Sequence, residues 1–164
     1  MINSKRFLEK FLQNYRFRMV KSYLKGDVLD FGGNEGELSK YVTGKYTVIN
    51  YDHSKIENEI PDTIVALAVI EHIEFDRVYG IFKKFKKILK KDGTVFLTTP
   101  TKMAKPVLEI WAFFGIVDRK NIEEHKHYWT KKEILDMAEK TGFKVEKYRK
   151  FQFWFNQLAV LKHE

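Results

Sequence analysis

The 164-residue sequence contains no cysteine, only three prolines and no long hydrophobic run. The lack of cysteine excludes disulfide scaffolds, thiolate zinc sites and cysteine nucleophiles. No stretch approaches the roughly 18 apolar residues of a membrane-spanning helix, so no membrane span is predicted. The opening stretch, MINSKRFLEKF, carries charge where a secretory signal peptide would be apolar, so we expect a cytoplasmic protein.

The residues that are present suffice for a hydrophobic core. The sequence is 44% hydrophobic and 15% aromatic, which excludes intrinsic disorder. Its length is that of one ordinary domain, so we expect residues 1–164 to form a single domain. The net charge of +8 indicates solubility and a loose attraction for anions, and nucleic-acid binding is a minor alternative.

Hydrophobic periodicity predicts helices that alternate with strands. Short apolar runs of the buried-strand type cover residues 27–32, 46–51, 62–68 and 94–99. Helical patterns cover residues 4–24, 35–43, 75–89, 102–117 and 130–142, and the last begins with a capping box. The apolar face of the first helix is predicted to comprise Leu8, Phe11, Leu12, Tyr15, Met19 and Tyr23. The sequence therefore predicts an α/β fold with a largely parallel sheet.

The tail of the chain has a different pattern. Residues 143–161 contain two strand-like runs, which predict an antiparallel pair of strands. The aromatic residues of this tail are predicted to be strand residues that face helix and sheet: Phe151, Phe153, Trp154 and Phe155.

The loop after the first strand reads DFGGNEG over residues 30–36. Glycines at this turn let the backbone approach a ligand closely. The spacing differs from the dinucleotide fingerprint, and no Gly-Lys-Ser/Thr of a phosphate loop follows. The carboxylate of Asp30 suits an ammonium group, and Asp52, at the end of the second strand, suits a ribose diol. An amine and a ribose together favour S-adenosylmethionine over a dinucleotide.

These motifs resemble the class I S-adenosylmethionine-dependent methyltransferases, in the methyltransferase-domain branch with a Glu-His pair. Five segments carry the resemblance, in the family's order: residues 28–36, 48–54, 62–73, 87–100 and 125–143. The resemblance covers roughly residues 25–163 and implies a Rossmann-like methyltransferase fold whose sheet ends in an antiparallel hairpin. It implies S-adenosylmethionine as cofactor and S-adenosylhomocysteine as product.

The resemblance also implies a set of cofactor-binding residues: Asp30, Phe31, Gly32, Gly33, Asn34, Gly36, Asp52, His53, Leu67 and Ala68. Asp30 would bind the methionine amine, and the glycine loop would pass under the ligand. Asp52 would hold the ribose, with His53 beside the adenine. Leu67 and Ala68 would line the sulfonium side.

The sequence departs from the family pattern in two places. Asn34 replaces the middle glycine of the loop. Pro61 follows Asp52 by only nine positions, where the family has a helix, a strand at the sheet edge and an adenine-contacting loop. We therefore expect a fold shortened after the second strand, with a stub of the edge strand over residues 55–60 and a more open adenine pocket.

Candidates for the acceptor side lie in three places. His72, in the pair Glu71-His72, is either a general base or a wall of the acceptor pocket, unless the pair only begins a helix. The other pocket candidates are Trp111, Phe114, His125, His127 and Tyr128. His125 and His127 could touch a metal, but no third ligand follows in a suitable pattern, so no metal site is predicted. Aromatic residues over 111–114 could instead serve a lipid-linked acceptor, a homodimer contact or core packing.

The leading hypothesis is an enzyme that transfers a methyl group to a small molecule or biosynthetic intermediate by direct in-line displacement. One alternative is a non-catalytic binding module that keeps the fold. The other alternative is a nucleic-acid methyltransferase, although nucleic acid is an unlikely partner. Six lysines over residues 83–91 fall largely opposite an apolar stripe, so they are predicted to form a solvated face.

Overall fold

The computed structural model describes residues 4–33, 36–50, 53–113 and 123–164. The strands are β1 (Val28–Phe31), β2 (Tyr46–Ile49), β3 (Thr63–Leu67), β4 (Thr94–Pro100), β5 (Lys144–Phe151) and β6 (Asn156–Lys162). The α-helices among these residues are α1 (Ser4–Val20), α2 (Phe75–Ile88), α3 (Ala104–Phe113) and α4 (Lys131–Lys140). Short 3-10 helices cover Lys21–Tyr23, Glu37–Tyr41, His53–Asn58 and Ile70–His72.

The six strands form one sheet in the order β2-β1-β3-β4-β6-β5. The first four strands of that order are parallel, whereas β6 is antiparallel to both of its neighbours. This arrangement confirms the predicted mostly parallel sheet with an antiparallel hairpin at its end. Because the carboxyl ends of parallel strands meet at one edge, the loops that follow β1, β3 and β4 lie together.

Both faces of the sheet are covered by hydrophobic side chains. Along β1, Leu29 packs on the face covered by α2 and α4, and Val28 packs on the face covered by α1. The apolar side of α2 is buried at spacings of three and four, at Val78, Ile81, Phe82, Phe85 and Ile88. Such two-sided burial explains why the parallel strands are continuous apolar runs.

The predicted capping box of α4 is confirmed. The backbone N–H of Glu133 donates to Oγ1 of Thr130 over 3.2 Å, and the backbone N–H of Thr130 donates to Oε2 of Glu133 over 2.6 Å. These reciprocal bonds satisfy two donors that a helix start would otherwise leave unpaired.

The predicted core face of α1 is wrong in part. Phe11, Tyr15 and Tyr23 are exposed, whereas Phe17 and Val20 are the buried residues among the side chains described, which begin at residue 10 and so leave out Leu8. The face of α1 that packs on the sheet is therefore not the face with the most regular aromatic spacing. Tyr15 retains a role, because its ring stacks on that of Phe151 at 5.8 Å between centroids.

The prediction that the aromatic residues of 153–155 are strand residues is also wrong. They lie in the turn between β5 and β6. Phe153 and Trp154 have φ angles of 55° and 68°, in the left-handed region, and their side chains are 86% and 63% exposed. The turn therefore directs both side chains toward solvent.

Residues 55–60 do not form the expected strand stub. They belong in part to the 3-10 helix His53–Asn58, which packs against α2. Ile56 is fully buried there, and Glu57 pairs with Lys84 on α2 at 3.2 Å. The segment is too short to leave the sheet and return as a strand, so it crosses directly to β3. Among the described residues, no strand lies outside β2.

Replacing Ile56→Ala tests this anchor. The substitution leaves a cavity against α2, so we expect a loss of about 2–5 kcal/mol in the free energy of unfolding. Replacing the exposed Asn58→Ala serves as the control and should change the free energy by less than about 0.5 kcal/mol. Chemical denaturation measures both. Equal effects of the two variants would show that the 3-10 helix is not anchored through Ile56.

Candidate functional site

A buried carboxyl group stands at the carboxyl end of β1. Asp30 is 3% exposed, and this burial raises the pKa of its carboxyl group to about 6. The hydroxyl of Tyr46 donates a hydrogen bond to Oδ2 of Asp30. This bond favours the ionised carboxylate and so lowers the pKa of Asp30, against the effect of burial. Asp30 therefore loses its proton in a range close to neutral pH.

The loop after β1 wraps tightly around this carboxyl group. A Cβ atom on Gly33 would lie 2.2 Å from Oδ2 of Asp30, and one on Gly32 would lie 2.4 Å from Cγ2 of Val69. Gly32 also has a φ of 81°, which side chains rarely tolerate. Only glycine allows the backbone to pass so close to Asp30 and to the loop after β3.

Tyr46 belongs to this site, although the sequence pattern indicates only that it is a strand residue. In the parallel register Tyr46 pairs with Val28, so its side chain shares a face with Asp30. Its ring also lies beneath the loop, because a Cβ on Gly36 would lie 3.3 Å from Cε1 of Tyr46. A hydroxyl-bearing residue on the Asp30 face of the neighbouring strand was the available signal.

The remaining predicted cofactor residues have different positions. Asn34 and Asp52 lie outside the described residues, and His53 begins the 3-10 helix after β2. Phe31 is buried with its ring 5.2 Å from that of Phe85, so its side chain faces the core. A contact between Phe31 and the cofactor stays a prediction, and the buried side chain leaves the backbone of Phe31 to make it.

The end of β3 has an unusual backbone. Leu67 and Ala68 are half-buried, and Ala68 has a φ of 58°. The backbone N–H of Ala68 donates to the carbonyl of Thr98 over 2.9 Å, which holds the turn in place. A left-handed alanine costs roughly 1–2 kcal/mol, and strained residues of this kind cluster at functional sites.

A second buried carboxyl group follows β3. Glu71 is 1% exposed, and burial raises the pKa of its carboxyl group to about 7. The hydroxyl of Thr99, on β4, donates to Oε2 of Glu71 over 3.0 Å. The charge of Arg16, on α1, acts in the same direction as this bond and lowers the pKa of Glu71.

Two imidazoles lie beside Glu71. The rings of His72 and His125 are 4.8 Å apart between centroids, and Nδ1 of His125 lies 3.0 Å from the hydroxyl oxygen of Tyr128. Burial lowers the pKa of both histidines, and the neighbouring His72 lowers that of His125 further, to about 4. His125 is therefore neutral at physiological pH.

Backbone hydrogen bonds bring these distant segments together. The carbonyl of Glu71 accepts from the N–H of Lys126 over 2.7 Å and from that of His127 over 3.3 Å. The side chain of His127 points elsewhere, with Nε2 3.2 Å from Oε1 of Glu133. The structure therefore joins His125 and Tyr128 to His72, and it separates His127 from them.

The aromatic candidates after β4 lie on α3. Trp111 is half-buried, Phe113 is 78% exposed, and Phe114 lies outside the described residues. The exposure of Phe113 contradicts the core-packing alternative for that residue. Met103 and Ile110 are also more than half exposed, so α3 presents apolar side chains to solvent.

The lysines of residues 83–91 are solvated or paired within the chain. Lys83, Lys87 and Lys91 are exposed. Lys90 contacts Asp62 over 2.8 Å, and Lys84 pairs with Glu57. These pairings reduce the free positive charge that a nucleic-acid surface would need.

A cavity of about 250 Å³ lies at the opposite edge of the sheet, at the amino ends of the strands. It is lined by Asp27, Val28, Leu29, Lys45, Thr47 and residues 58–61. Since the glycine loop is at the other edge, this cavity is not the predicted cofactor site.

The fold and the site together define a class of protein, in which a Rossmann-like sheet carries a glycine loop and a buried acid at the end of its first strand. The family profile described as "Methyltransferase domain" matches residues 4–148. The chain belongs to this family of class I S-adenosylmethionine-dependent methyltransferases, which confirms the predicted family and its cofactor. The branch with a Glu-His pair stays a prediction. No curated protein sequence matches the chain significantly.

Solved structures show the same fold at low identity. A SAM-dependent methyltransferase from Archaeoglobus fulgidus is 16% identical with a TM-score of 0.66, over 93% of each chain. Magnesium protoporphyrin IX methyltransferase from Synechocystis PCC 6803, with bound S-adenosylhomocysteine, is 11% identical with a TM-score of 0.66, over 98% of this chain and 86% of that one.

The pyocyanin biosynthetic protein PhzM is also similar, at 16% identity and a TM-score of 0.66 over 93% of this chain. This chain spans only 55% of the length of PhzM. No helix within the described ranges is both long and apolar enough to cross a membrane.

The observed residues fit the family's cofactor at one point. An ammonium group brought to Asp30 would compensate a carboxylate that burial disfavours. The glycine loop brings the backbone of Gly33 close to that carboxylate.

Replacing Gly33→Ala tests the tight loop. The new Cβ would overlap the Asp30 carboxyl group, so we expect S-adenosylhomocysteine to bind at least about tenfold more weakly and the fold to lose about 1–3 kcal/mol. Gly80→Ala is the matched control, because nothing lies within 4 Å of its Cβ position. That change should stabilise α2 by up to about 1 kcal/mol and leave binding unchanged. Unchanged binding in both variants would refute the role of the loop.

The pH dependence of binding tests Asp30. Its carboxyl group is ionised above about pH 6, and only the ionised form attracts an ammonium group. We therefore expect S-adenosylhomocysteine to bind roughly tenfold more weakly at pH 5 than at pH 8. Tyr46→Phe removes a donor to the ionised form and should move the midpoint to higher pH.

Calorimetric titration across this pH range makes the measurement. Asp30→Asn cannot ionise and is expected to bind weakly with no such pH dependence. If the Asp30→Asn variant keeps the pH dependence of binding seen in the native protein, a group other than Asp30 is responsible for that dependence.

Proposed function

We propose that this chain binds S-adenosylmethionine at the carboxyl edge of its sheet and methylates a small-molecule acceptor by direct in-line displacement. The observation that carries the proposal is the buried Asp30, enclosed by the glycine loop and supported by Tyr46. Family membership supports the reaction type.

The cofactor side is assigned to β1 and β2. Asp30 receives the methionine amine, and the backbone of Gly32 and Gly33 passes beneath the ligand. Asp52 is proposed to hold the ribose and His53 to lie beside the adenine. S-adenosylmethionine supplies, when bound, a methyl group on a positively charged sulfur.

The acceptor side is assigned to the polar cluster after β3 and β4. The loop that begins at Ala68 follows β3 next to the proposed cofactor site, and His72 lies four residues further along this loop. A neutral, half-buried imidazole can accept a proton from an acceptor hydroxyl, so His72 is the proposed base where the acceptor must lose one. Alignment of the acceptor with the methyl group supplies the rest of the rate.

Two features favour a small acceptor with a hydroxyl group. Similar structures include mitomycin 7-O-methyltransferase and an O-methyltransferase family protein from Burkholderia thailandensis. Trp111, on α3, is a candidate for an apolar wall of the acceptor pocket, and Phe114 and Tyr128 are further candidates to line that pocket. Cytoplasmic location and a homodimer contact remain predictions from the sequence.

Titration with S-adenosylhomocysteine tests the proposal. One-site binding is expected, with a stabilisation of roughly 2.7 kcal/mol at a ligand concentration one hundred times the dissociation constant. For a chain of this size that corresponds to a rise in melting temperature on the order of 5–10 °C. Calorimetry and thermal melting measure the two quantities.

The variants Asp30→Ala and Asp52→Ala should each weaken binding without unfolding the chain. The exposed Asp76→Ala, in the first turn of α2, is the charge-matched control and should bind normally. A folded chain that shows neither heat nor a melting shift would instead be a non-catalytic module of this fold.

A further inference from the structure

We infer that Glu71, His72 and His125 form a site for a zinc ion on the acceptor side of the sheet. One ligand atom from each residue lies within 4.8 Å of the other two. Two imidazole nitrogens and one carboxylate oxygen, with a fourth position left open, are the donor set of catalytic zinc sites. Sequence spacing offers His125 no third ligand nearby, whereas the fold supplies two from the loop after β3.

The ligand atoms are close to the separation that an ion needs. Bonds of about 2.0–2.2 Å in a tetrahedron place donors about 3.4 Å apart. The observed separation of up to 4.8 Å is larger, so the side chains would have to move together by about 1.4 Å to bind the ion. Both imidazoles are half-buried, so the open position faces accessible space.

Each ligand is held by a further partner, as is usual at metal sites. Thr99 donates to Oε2 of Glu71 and so orients its carboxyl group. Tyr128 contacts Nδ1 of His125, which leaves Nε2 available. The backbone bonds from Lys126 and His127 to the Glu71 carbonyl fix the distance between the two segments.

Burial gives the cluster a reason to bind a cation. Glu71 is almost completely buried, so its ionised carboxylate needs compensating positive charge, of which Arg16 supplies a part. The two imidazoles meet edge to face, so protonating both would place like charges 4.8 Å apart between ring centres. A divalent ion satisfies the carboxylate and uses both imidazoles in the neutral form in which they bind metals.

The role of the ion rests on the proposed function, but its binding does not. An acceptor hydroxyl in the open position would become more acidic and release its proton to solvent. Its oxygen would then form the new bond to the methyl carbon, while the carbon–sulfur bond breaks and its electron pair stays on sulfur. In this arrangement His72 is a ligand rather than the base.

Zinc titration of the chelator-treated full chain, without cofactor, tests the site. We expect one Zn²⁺ per chain, and Co²⁺ in its place should give the visible absorption bands of a four-coordinate site. His125→Ala and His72→Ala should each weaken Zn²⁺ binding by more than tenfold, and Tyr128→Phe should weaken it by roughly tenfold.

The matched control is His127→Ala, which removes an imidazole two positions away that faces Glu133. It should bind Zn²⁺ as the native chain does. Absence of binding by the native chain, or an equal loss in His125→Ala and His127→Ala, would overturn the site. Circular dichroism verifies that each variant is folded. His125→Ala is the decisive variant, because the neighbours of His125 in the chain are exposed.

A separate titration with S-adenosylhomocysteine distinguishes the two proposals. Zinc binding without nucleoside binding would overturn the proposed function and leave the metal site in place. Nucleoside binding without zinc binding would overturn the metal site alone and return His72 to the role of base.

Discussion

The cost of burying two carboxyl groups at one edge of the sheet is the constraint on which the rest of the site depends. Asp30 lies one residue before the end of β1, and Glu71 follows the neighbouring strand β3. Both side chains are almost inaccessible to solvent. Such groups are stable only where donors or cations meet them. Tyr46 and Thr99, each from an adjacent strand, provide the donors. The parallel sheet thus supplies both the acids and the groups that make their burial tolerable.

Much of this architecture follows from local sequence pattern. The strands are short apolar runs because they are covered on both faces, and α2 follows its 3-4 spacing because one side packs on the sheet. The glycine loop and Asp30 were also predictable, since a turn that approaches a ligand requires residues without side chains.

Other features depend on contacts that no local pattern records. His72 and His125 are 53 positions apart, and backbone bonds from the segment of His125 to Glu71 bring them together. Phe11 and Tyr15 on α1, and Phe153 and Trp154 in the β5–β6 turn, are exposed because tertiary packing selects other faces. Sequence hydrophobicity says that a residue can be buried, but it does not say that enough neighbours exist to bury it.

The position of β6 has a consequence for folding during synthesis. This strand comes last among the six in the chain, yet it lies between β4 and β5 and hydrogen-bonds to both. A nascent chain that ends before residue 156 therefore has an unpaired edge on β4 and a β5 with no partner in the sheet. Both edges are templates for pairing with other chains. The sheet is completed only when residues 156–162 leave the ribosome, so this protein depends on a late, long-range pairing that local helix formation cannot replace.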